Sequence, residues 1–181
     1  MPTKKPPMDP NTDEADAKQL ELAKKQGAAY REALEHMANE VADDGGMQEA
    51  GEYLVGYAIE EAEGMYDWVD GELVWHEPEE ENIHVEIAVC DGSDGRFVPA
   101  VKVFATLVDP SGNEVGTHEI PLLWHPMLYH YGRNWKVPSE GEYTMHVRIQ
   151  PPTFMRHDEV NGCRFSELVE TTFEGVKVEL E

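Results

Sequence analysis

A strict alternation of apolar and other side chains between residues 83 and 89 constrains the fold of this chain more than any other feature. Every second position carries a β-branched apolar residue: Ile83, Val85, Ile87 and Val89. A period of two residues is typical of a strand that turns one face to a hydrophobic core. His84 and Glu86 fall between these positions, so both side chains are predicted to point away from the core, either outward or into a cleft.

Other short segments of similar character follow at regular intervals. They cover residues 52–59, 72–76, 98–108, 114–123, 141–150 and 171–180. Turn-forming sequences separate them, among them Asp70-Gly71 and the run of residues 109–113. About seven short strands with turns between them predict a mainly β chain folded as an antiparallel β-sandwich.

The first 46 residues have a different pattern. Residues 1–12 contain four prolines and predict a flexible arm. Residues 13–46 predict a helical segment, capped by Thr12 or Asp13 and stopped by the acidic and glycine residues at its end. The β-sandwich is then expected to occupy residues 47–181. Apolar residues form one narrow stripe along the helix: Leu20, Ala23, Gly27, Tyr30, Leu34, Met37 and Val41. This stripe suits a helix that docks to a partner or oligomerises, and equally a helix that packs on its own domain.

The charge of the chain restricts its partners. There are 37 Asp and Glu residues against 14 Lys and Arg residues, and the formal net charge is -23. Nucleic acid is excluded as a partner, because binding a polyanion requires clustered Lys and Arg. An anionic membrane surface is disfavoured on the same grounds. The acidity indicates a protein that stays soluble, with adaptation to strong salt in a halophile as one explanation.

Compartment and redox state are only weakly constrained. No run of 18 apolar residues is present, so no direct membrane insertion is predicted. Residues 1–11 are polar and rich in proline and lack the apolar segment of a signal peptide, which indicates a cytoplasmic or a processed protein. Cys90 and Cys163 permit one disulfide without requiring it.

Histidines in three places are candidate metal ligands. His84 and Glu86 share one strand face, and two further histidine clusters lie in proline-containing segments at residues 125–132 and 151–158, both predicted to be loops. Imidazole with carboxylate suits copper, zinc or iron(II), and does not suit magnesium or calcium. The alternative interpretation is that these are scattered surface histidines without a ligand.

From about residue 49 onward the chain resembles a family of bacterial periplasmic iron-transport accessory proteins. The resemblance depends on the order and spacing of several short motifs: His84-Val85-Glu86, Ile120-Pro121, His130-Tyr131-Gly132 with Asn134, Gly141-Glu142-Tyr143, Pro151-Pro152, Arg156-His157-Asp158-Glu159 and Gly162. The resemblance implies an immunoglobulin-like β-sandwich that binds copper or iron and serves a high-affinity iron-uptake system. It also implies a homodimer with metal sites near the subunit interface, a membrane iron-transport partner, and a location outside the cytoplasm.

Carried over motif by motif, the resemblance implies a metal site formed by His84, Glu86, His130 and His157. The family has a methionine ligand just after the proline of the second motif, where this chain has Leu122-Leu123. Met127 or His125 could take its place, and loss of a thioether would weaken a preference for copper(I).

The sequence therefore predicts a non-enzymatic protein that binds a transition metal, with copper favoured and iron or zinc as alternatives, for metal uptake or handling. No Ser or Cys lies in a recognisable triad context, although a redox activity at the metal stays open. The competing prediction is a structural or interaction protein that binds no metal and uses the sandwich and the N-terminal helix as a docking scaffold.

Overall fold

A computed structural model describes residues 6–180 of the chain. It contains one α-helix, α1 (Ala17–His36), continued by a π-helical turn (Met37–Val41). Eleven strands follow within these residues: β1 (Asp44–Ala50), β2 (Tyr53–Glu61), β3 (Met65–Val69), β4 (Glu72–His76), β5 (Ile83–Asp91), β6 (Lys102–Val108), β7 (Glu114–Ile120), β8 (Leu122–Leu123), β9 (His130–Trp135), β10 (Gly141–Gln150) and β11 (Val169–Val178).

Nine of these strands form the two antiparallel sheets of a β-sandwich. One sheet has the order β1-β2-β5-β9-β8, and the other has the order β11-β10-β6-β7. We call them the first and the second sheet. Strands β3 and β4 form a separate two-stranded hairpin. The predicted mainly β sandwich with an N-terminal helix is confirmed.

The hydrophobic core lies between the two sheets. In the first sheet β5 contributes the alternating residues that the sequence singled out, and all four are at most 1% exposed. The second sheet contributes every other residue of β6 and β10, including Ala105 and Val147. This core fixes the orientation of β5, so the opposite face of the first sheet carries His84 and Glu86.

Helix α1 begins later than the sequence predicted. Its N-cap is Asp16, which forms a capping box with Gln19, so that each side chain accepts a backbone N–H of the other residue. Thr12, one of the two predicted caps, instead accepts from the backbone N–H of Ala15 and donates to Asp158.

The helix packs on its own domain, against the outer face of the first sheet. Leu34 and Met37 join a buried apolar cluster with Ala58 of β2 and with Ala88 and Cys90 of β5. Nearer its N-terminus, the backbone of α1 approaches the turn after β5 very closely. A Cβ at residue 27 would lie only 1.7 Å from the carbonyl oxygen of residue 94. Most of the stripe is therefore covered by the chain's own sheet, which removes the main support for the docking-helix alternative, although Val41 at its end is 51% exposed.

Three strands lie where the sequence predicted none, namely β1, β3 and β9. Strand β1 begins at Asp44, inside the range 13–46 predicted as helical, because Gly45 and Gly46 are strand residues rather than a helix stop. Each fits tightly: a Cβ on Gly45 would meet Ala38, and one on Gly46 would meet the Tyr57 ring. Strand β9 occupies part of the segment predicted as a loop. The predicted strand of residues 114–123 is in fact two strands in different sheets, β7 and β8.

The described part of the N-terminal arm lies against the loop between β10 and β11. The backbone N–H of Asp9 donates to Asn161, which donates back to the Asp9 carbonyl, and Arg164 donates to the carbonyl of Pro6. Residues 1–5 of the predicted flexible arm lie outside the described residues. Cys90 is buried, Cys163 is exposed, and the two thiols are free. In the described part of the chain, no helix has the length and apolar character needed to span a membrane.

Candidate metal centre

The candidate centre lies on the outer face of the first sheet, where β5 and β9 run side by side. In the antiparallel register His84 is opposite Asn134, and Glu86 is opposite Gly132. Directly opposed residues of neighbouring strands project from the same face. His130, two residues before Gly132, projects from this face as well, so three chemically competent side chains converge.

The three side chains form one buried cluster. The Nε2 atom of His130 lies 3.1 Å from Oε1 of Glu86, and the Nε2 atom of His84 lies 3.9 Å from the same oxygen. Each residue offers one ligand atom, and these atoms lie within 4.8 Å of one another. The exposed fractions of His84, Glu86 and His130 are 1%, 5% and 3%. Of the two predicted orientations, His84 and Glu86 therefore take the one in which they point into the protein rather than into solvent.

Asn134 orients the ring of His84. Its Oδ1 atom accepts from Nδ1 of His84 at 2.8 Å and from the backbone N–H of Glu63 at 3.1 Å. Its Nδ2 atom donates to the carbonyl oxygen of Glu63 at 2.6 Å, which fixes the amide. In the neutral ring of His84 the proton is thereby held on Nδ1, which leaves the lone pair of Nε2 available to a metal.

Gly132 leaves the space in which the ligands meet. A Cβ at this position would lie 2.6 Å from Cδ1 of Leu123, 2.7 Å from Nε2 of His84 and 3.2 Å from Cδ2 of His130. Any larger residue would therefore displace the two imidazoles. The glycine is required by close approach rather than by an unusual backbone conformation.

Charge compensation stabilises the buried carboxylate. Burial by itself raises the pKa of Glu86, but the hydrogen bond and charge of His130, together with His84 and His125, lower this pKa below its ordinary value.

The Nδ1 atom of His130 is buried and has no hydrogen-bond partner. A buried polar atom without a partner is costly, so the imidazole of His130 is suited to binding something that the chain itself does not supply.

A second carboxyl group borders the cluster. Glu60 of β2 lies directly opposite His84 in the antiparallel register. Burial, followed by the charges of Glu86 and Glu63, raises the pKa of Glu60 to about 7. The centre thus has one carboxylate that stays ionised and a neighbour that holds its proton near neutral pH.

Two imidazoles and one carboxylate are a competent donor set for a transition metal. Copper, zinc and iron(II) accept nitrogen and carboxylate oxygen as ligands, for zinc at about 2.0–2.2 Å. Within residues 6–180 this is the single group of three or more His, Cys, Asp and Glu residues close enough to hold an ion.

The structure does not bring His157 to this cluster. The side chain of His157 is 91% exposed, and its Nδ1 atom lies 4.0 Å from a carboxylate oxygen of Glu14. It belongs to the loop between β10 and β11, beside the start of α1. Within one chain the predicted set of four ligands is therefore a set of three.

The two candidates for an additional ligand differ in position. The ring of His125 lies 5.8 Å from the ring of His130, at the rim of the cluster. Its Nδ1 atom accepts from the backbone N–H of Met127, so Nε2 carries the proton in the neutral ring. Met127 is 40% exposed. Of the two, His125 is the one whose ring lies close to a proposed ligand, His130.

Sequence reasoning missed the contributions of three residues: Asn134, Gly132 and Glu60. Two of them were visible in the motif that begins at His130, and counting every second residue from there places both on the ligand face. The signal was lost because this segment was interpreted as a loop. For Glu60 there was no signal, since its role depends on the pairing of β2 with β5.

An antiparallel β-sandwich with a buried cluster of side chains that could hold a metal ion defines the class of this chain. More particularly, the chain belongs to the Fe2+ transport protein family, whose sequence model matches residues 32–178. Most of helix α1 lies before this match. Among curated proteins, no relative was found.

Solved structures share the fold. A copper-bound variant of FetP from uropathogenic Escherichia coli strain F11 is 19% identical, with a TM-score of 0.62, over 75% of this chain and 95% of that chain. FetP expressed in the periplasm is 20% identical, with a TM-score of 0.61, over 77% and 100%. A copper-bound variant of the P19 protein of Campylobacter jejuni is 15% identical, with a TM-score of 0.60, over 74% and 94%. At these identities the likeness concerns the fold.

Proposed function

We propose that this protein captures a transition metal ion at the centre formed by His84, Glu86 and His130 and hands it on for iron uptake. The observation that carries the proposal is the burial of two imidazoles and a carboxylate around a space that Gly132 keeps open. Such a cluster is expensive to bury unless it binds a ligand. The ion is cargo in this proposal, and no catalytic step is assigned to the chain.

Copper is the favoured ion, with iron(II) and zinc as alternatives. The three proposed ligands include no thioether: Leu123 lies against the ligand space, and Met127 is 40% exposed. Nitrogen and carboxylate donors favour copper(II) and iron(II) over copper(I). The copper-bound structures of FetP and P19 are compatible with this choice.

His157 contributes to the centre through a second copy of the chain. Its side chain is almost fully exposed and lies outside the cluster of its own chain, so it is free to reach the open side of another centre. A homodimer with metal sites near the interface would complete the predicted set of His84, Glu86, His130 and His157. The family membership further supports a site of action outside the cytoplasm and a membrane iron-transport system as the recipient.

Elemental analysis tests the metal centre. The chain, purified without a chelating tag and loaded in turn with copper(II), iron(II) and zinc, should retain about one ion per chain after desalting. His84→Ala should lose the ion while keeping its far-ultraviolet circular dichroism. His146→Ala, an exposed histidine of β10, is the matched control and should bind like the parent. Retention of the ion by His84→Ala, or no ion in the parent, would refute the proposal.

Sedimentation tests the dimer, and the metal affinity of a variant tests the role of His157. The parent should sediment as a dimer when loaded, and His157→Ala should bind metal more weakly, by about tenfold or more. A monomeric loaded protein whose affinity is unchanged in His157→Ala would restrict the centre to three ligands. That result would leave the metal proposal intact and remove the second copy from it.

A further inference from the structure

The hairpin of β3 and β4 stands apart from the sandwich. Its strands pair with each other and, among the described residues, with no other strand. The connection is Asp70-Gly71, where both residues have positive φ angles of 49° and 89°. An isolated two-stranded hairpin is at best marginally stable in water. A hairpin that pairs with neither sheet therefore suggests a function that requires it to project from the sandwich.

One face of the hairpin is a ladder of large apolar side chains. Tyr66 pairs with Trp75 and Trp68 pairs with Leu73, so all four lie on the same face. Their exposed fractions are 62%, 49%, 71% and 61% in that order. The rings of Tyr66 and Trp75 make an edge contact with centroids 4.9 Å apart. Contiguous exposed aromatic surface of this kind marks an interaction site, because aromatic anchors dominate binding energy at interfaces.

The ladder is set in the most acidic stretch of the chain. Residues 60–81 contain ten acidic residues and no Lys or Arg. These acids lie on the hairpin and at its base: Glu60, Glu61, Glu63, Asp67, Asp70, Glu72, Glu77, Glu79, Glu80 and Glu81. One ion pair at this end joins Glu80 to Lys136, the residue after β9, at 2.9 Å. An apolar strip framed by negative charge is complementary to an apolar strip framed by positive charge.

We propose that the β3–β4 hairpin is a docking arm for a protein partner that presents an apolar groove or strand flanked by Lys and Arg. A second copy of the chain is the wrong occupant, because apposing two such hairpins would bring two sets of ten acidic residues together. A membrane surface is disfavoured by the same charges, which repel anionic headgroups.

The base of the arm is tied to the candidate metal centre. Glu63, two residues before β3, exchanges two hydrogen bonds with the amide of Asn134, and that amide also holds Nδ1 of His84. A partner on the arm would thus lie beside the centre, in position to receive or deliver its ion. This last point rests on the proposed function, whereas docking itself does not.

A pair of synthetic peptides tests the arm on the full, metal-free chain. One peptide alternates Lys with Val over ten residues, and the other alternates Lys with Ser at the same charge. Fluorescence anisotropy should show at least tenfold tighter binding of the Lys-Val peptide. The double variant Trp68→Ser/Leu73→Ser should bind both peptides equally, at the level of the Lys-Ser peptide. Trp124→Ser, a tryptophan of the same 71% exposure outside the hairpin, should behave like the parent.

Three outcomes would overturn the proposal. Equal binding of the two peptides by the parent would show attraction to charge alone. A parent dimer that becomes a monomer in the double variant, measured by sedimentation, would assign the ladder to self-association. Co-sedimentation of the parent, but not of the double variant, with phosphatidylcholine vesicles would assign it to a lipid surface. Since none of these measurements uses metal, they fail or succeed independently of the metal centre.

Discussion

Gly132 sets the size of the candidate metal centre, because any other residue would place a Cβ atom in the space between the ligands. The strand around it needs no glycine for its backbone. We expect Gly132→Ala to lower metal affinity by at least about tenfold, because the new methyl group would lie 2.7 Å from the ligand atom of His84. Isothermal titration calorimetry measures the change.

Gly56→Ala is the matched control for this variant. Gly56 lies on the same face of the first sheet, but the nearest atoms to a Cβ there would belong to the flexible side chains of Leu34 and Met47, at 3.1 Å or more. Its metal affinity should remain that of the parent. Equal losses of affinity in both variants would mean that the methyl groups disturb the sheet rather than the ligand space.

Glu60 makes the stability of the metal-free protein depend on pH. Its folded-state pKa of about 7 is higher than the ordinary 4.5, so the stabilisation of the protonated group is complete below about pH 4.5 and is lost as pH rises through 7. Glu60→Gln should therefore raise the free energy of unfolding at pH 8 by about 1–2 kcal/mol, after allowing for water that screens the carboxyl group. At pH 5 it should change little.

Urea denaturation at both pH values measures this effect. Glu72→Gln, an exposed glutamate of the hairpin, serves as the control and should change stability by less than about 0.5 kcal/mol at either pH. A Glu60→Gln variant with the same gain at pH 5 and pH 8 would show that the gain has no connection with ionisation.

The sequence could predict part of the centre at the scale of residues. The alternation around His84 and Glu86 placed both side chains on one face, and the structure agrees. Periodicity could not place His130 relative to them, because that requires the pairing of β9 with β5, and only the family resemblance put His130 in the predicted set. The predicted role of His157 in the centre remains a prediction, since its own chain holds it elsewhere.

At the scale of elements, helix α1 acts as a cover on the first sheet. Leu34 is 4% exposed within the apolar cluster under the helix, so Leu34→Ala should lower the free energy of unfolding by about 2–4 kcal/mol. Leu22→Ala, on the same helix but 46% exposed, should change it by less than about 0.5 kcal/mol. Thermal and urea unfolding of both variants measure the difference. Similar effects of the two substitutions would contradict the observed docking of the helix.

The elements show why local patterns misjudge boundaries. The helical stripe was recognised, but whether it would be covered by a partner or by the same chain depends on tertiary contacts that no periodicity contains. Strand β1 was hidden because glycines ordinarily end helices, whereas Gly45 and Gly46 are there to let Ala38 and Tyr57 approach the backbone. Strand β9 was hidden because Arg133 interrupts its apolar alternation and a proline-containing segment precedes it.

At the scale of the whole molecule, the negative charge opposes compaction. Residues 1–82 carry a net charge of -16, and they include the helix, the hairpin and two strands of the first sheet. Raising NaCl from about 0.1 M to 1 M shortens the screening length from about 10 Å to 3 Å. We therefore expect the midpoint of thermal unfolding at pH 7.5 to rise by at least about 4 °C.

The same salt series at pH 4.5, near the isoelectric point of about 4.5, is the control for this expectation. With the net charge close to zero, salt should change the midpoint little there. An equal rise at both pH values would identify a general solute effect instead of relief of self-repulsion.

The burial of Cys90 beneath α1 makes its thiol a natural probe of how often the helix separates from the sheet. Cys163 faces solvent, whereas Cys90 lies in the cluster under the helix, and burial raises the pKa of its thiol to about 12. An alkylating reagent can attack the first thiol at once, but it reaches the second only when the helix lifts. The delay between the two reactions would measure how often α1 separates from the first sheet, without any label having to be engineered.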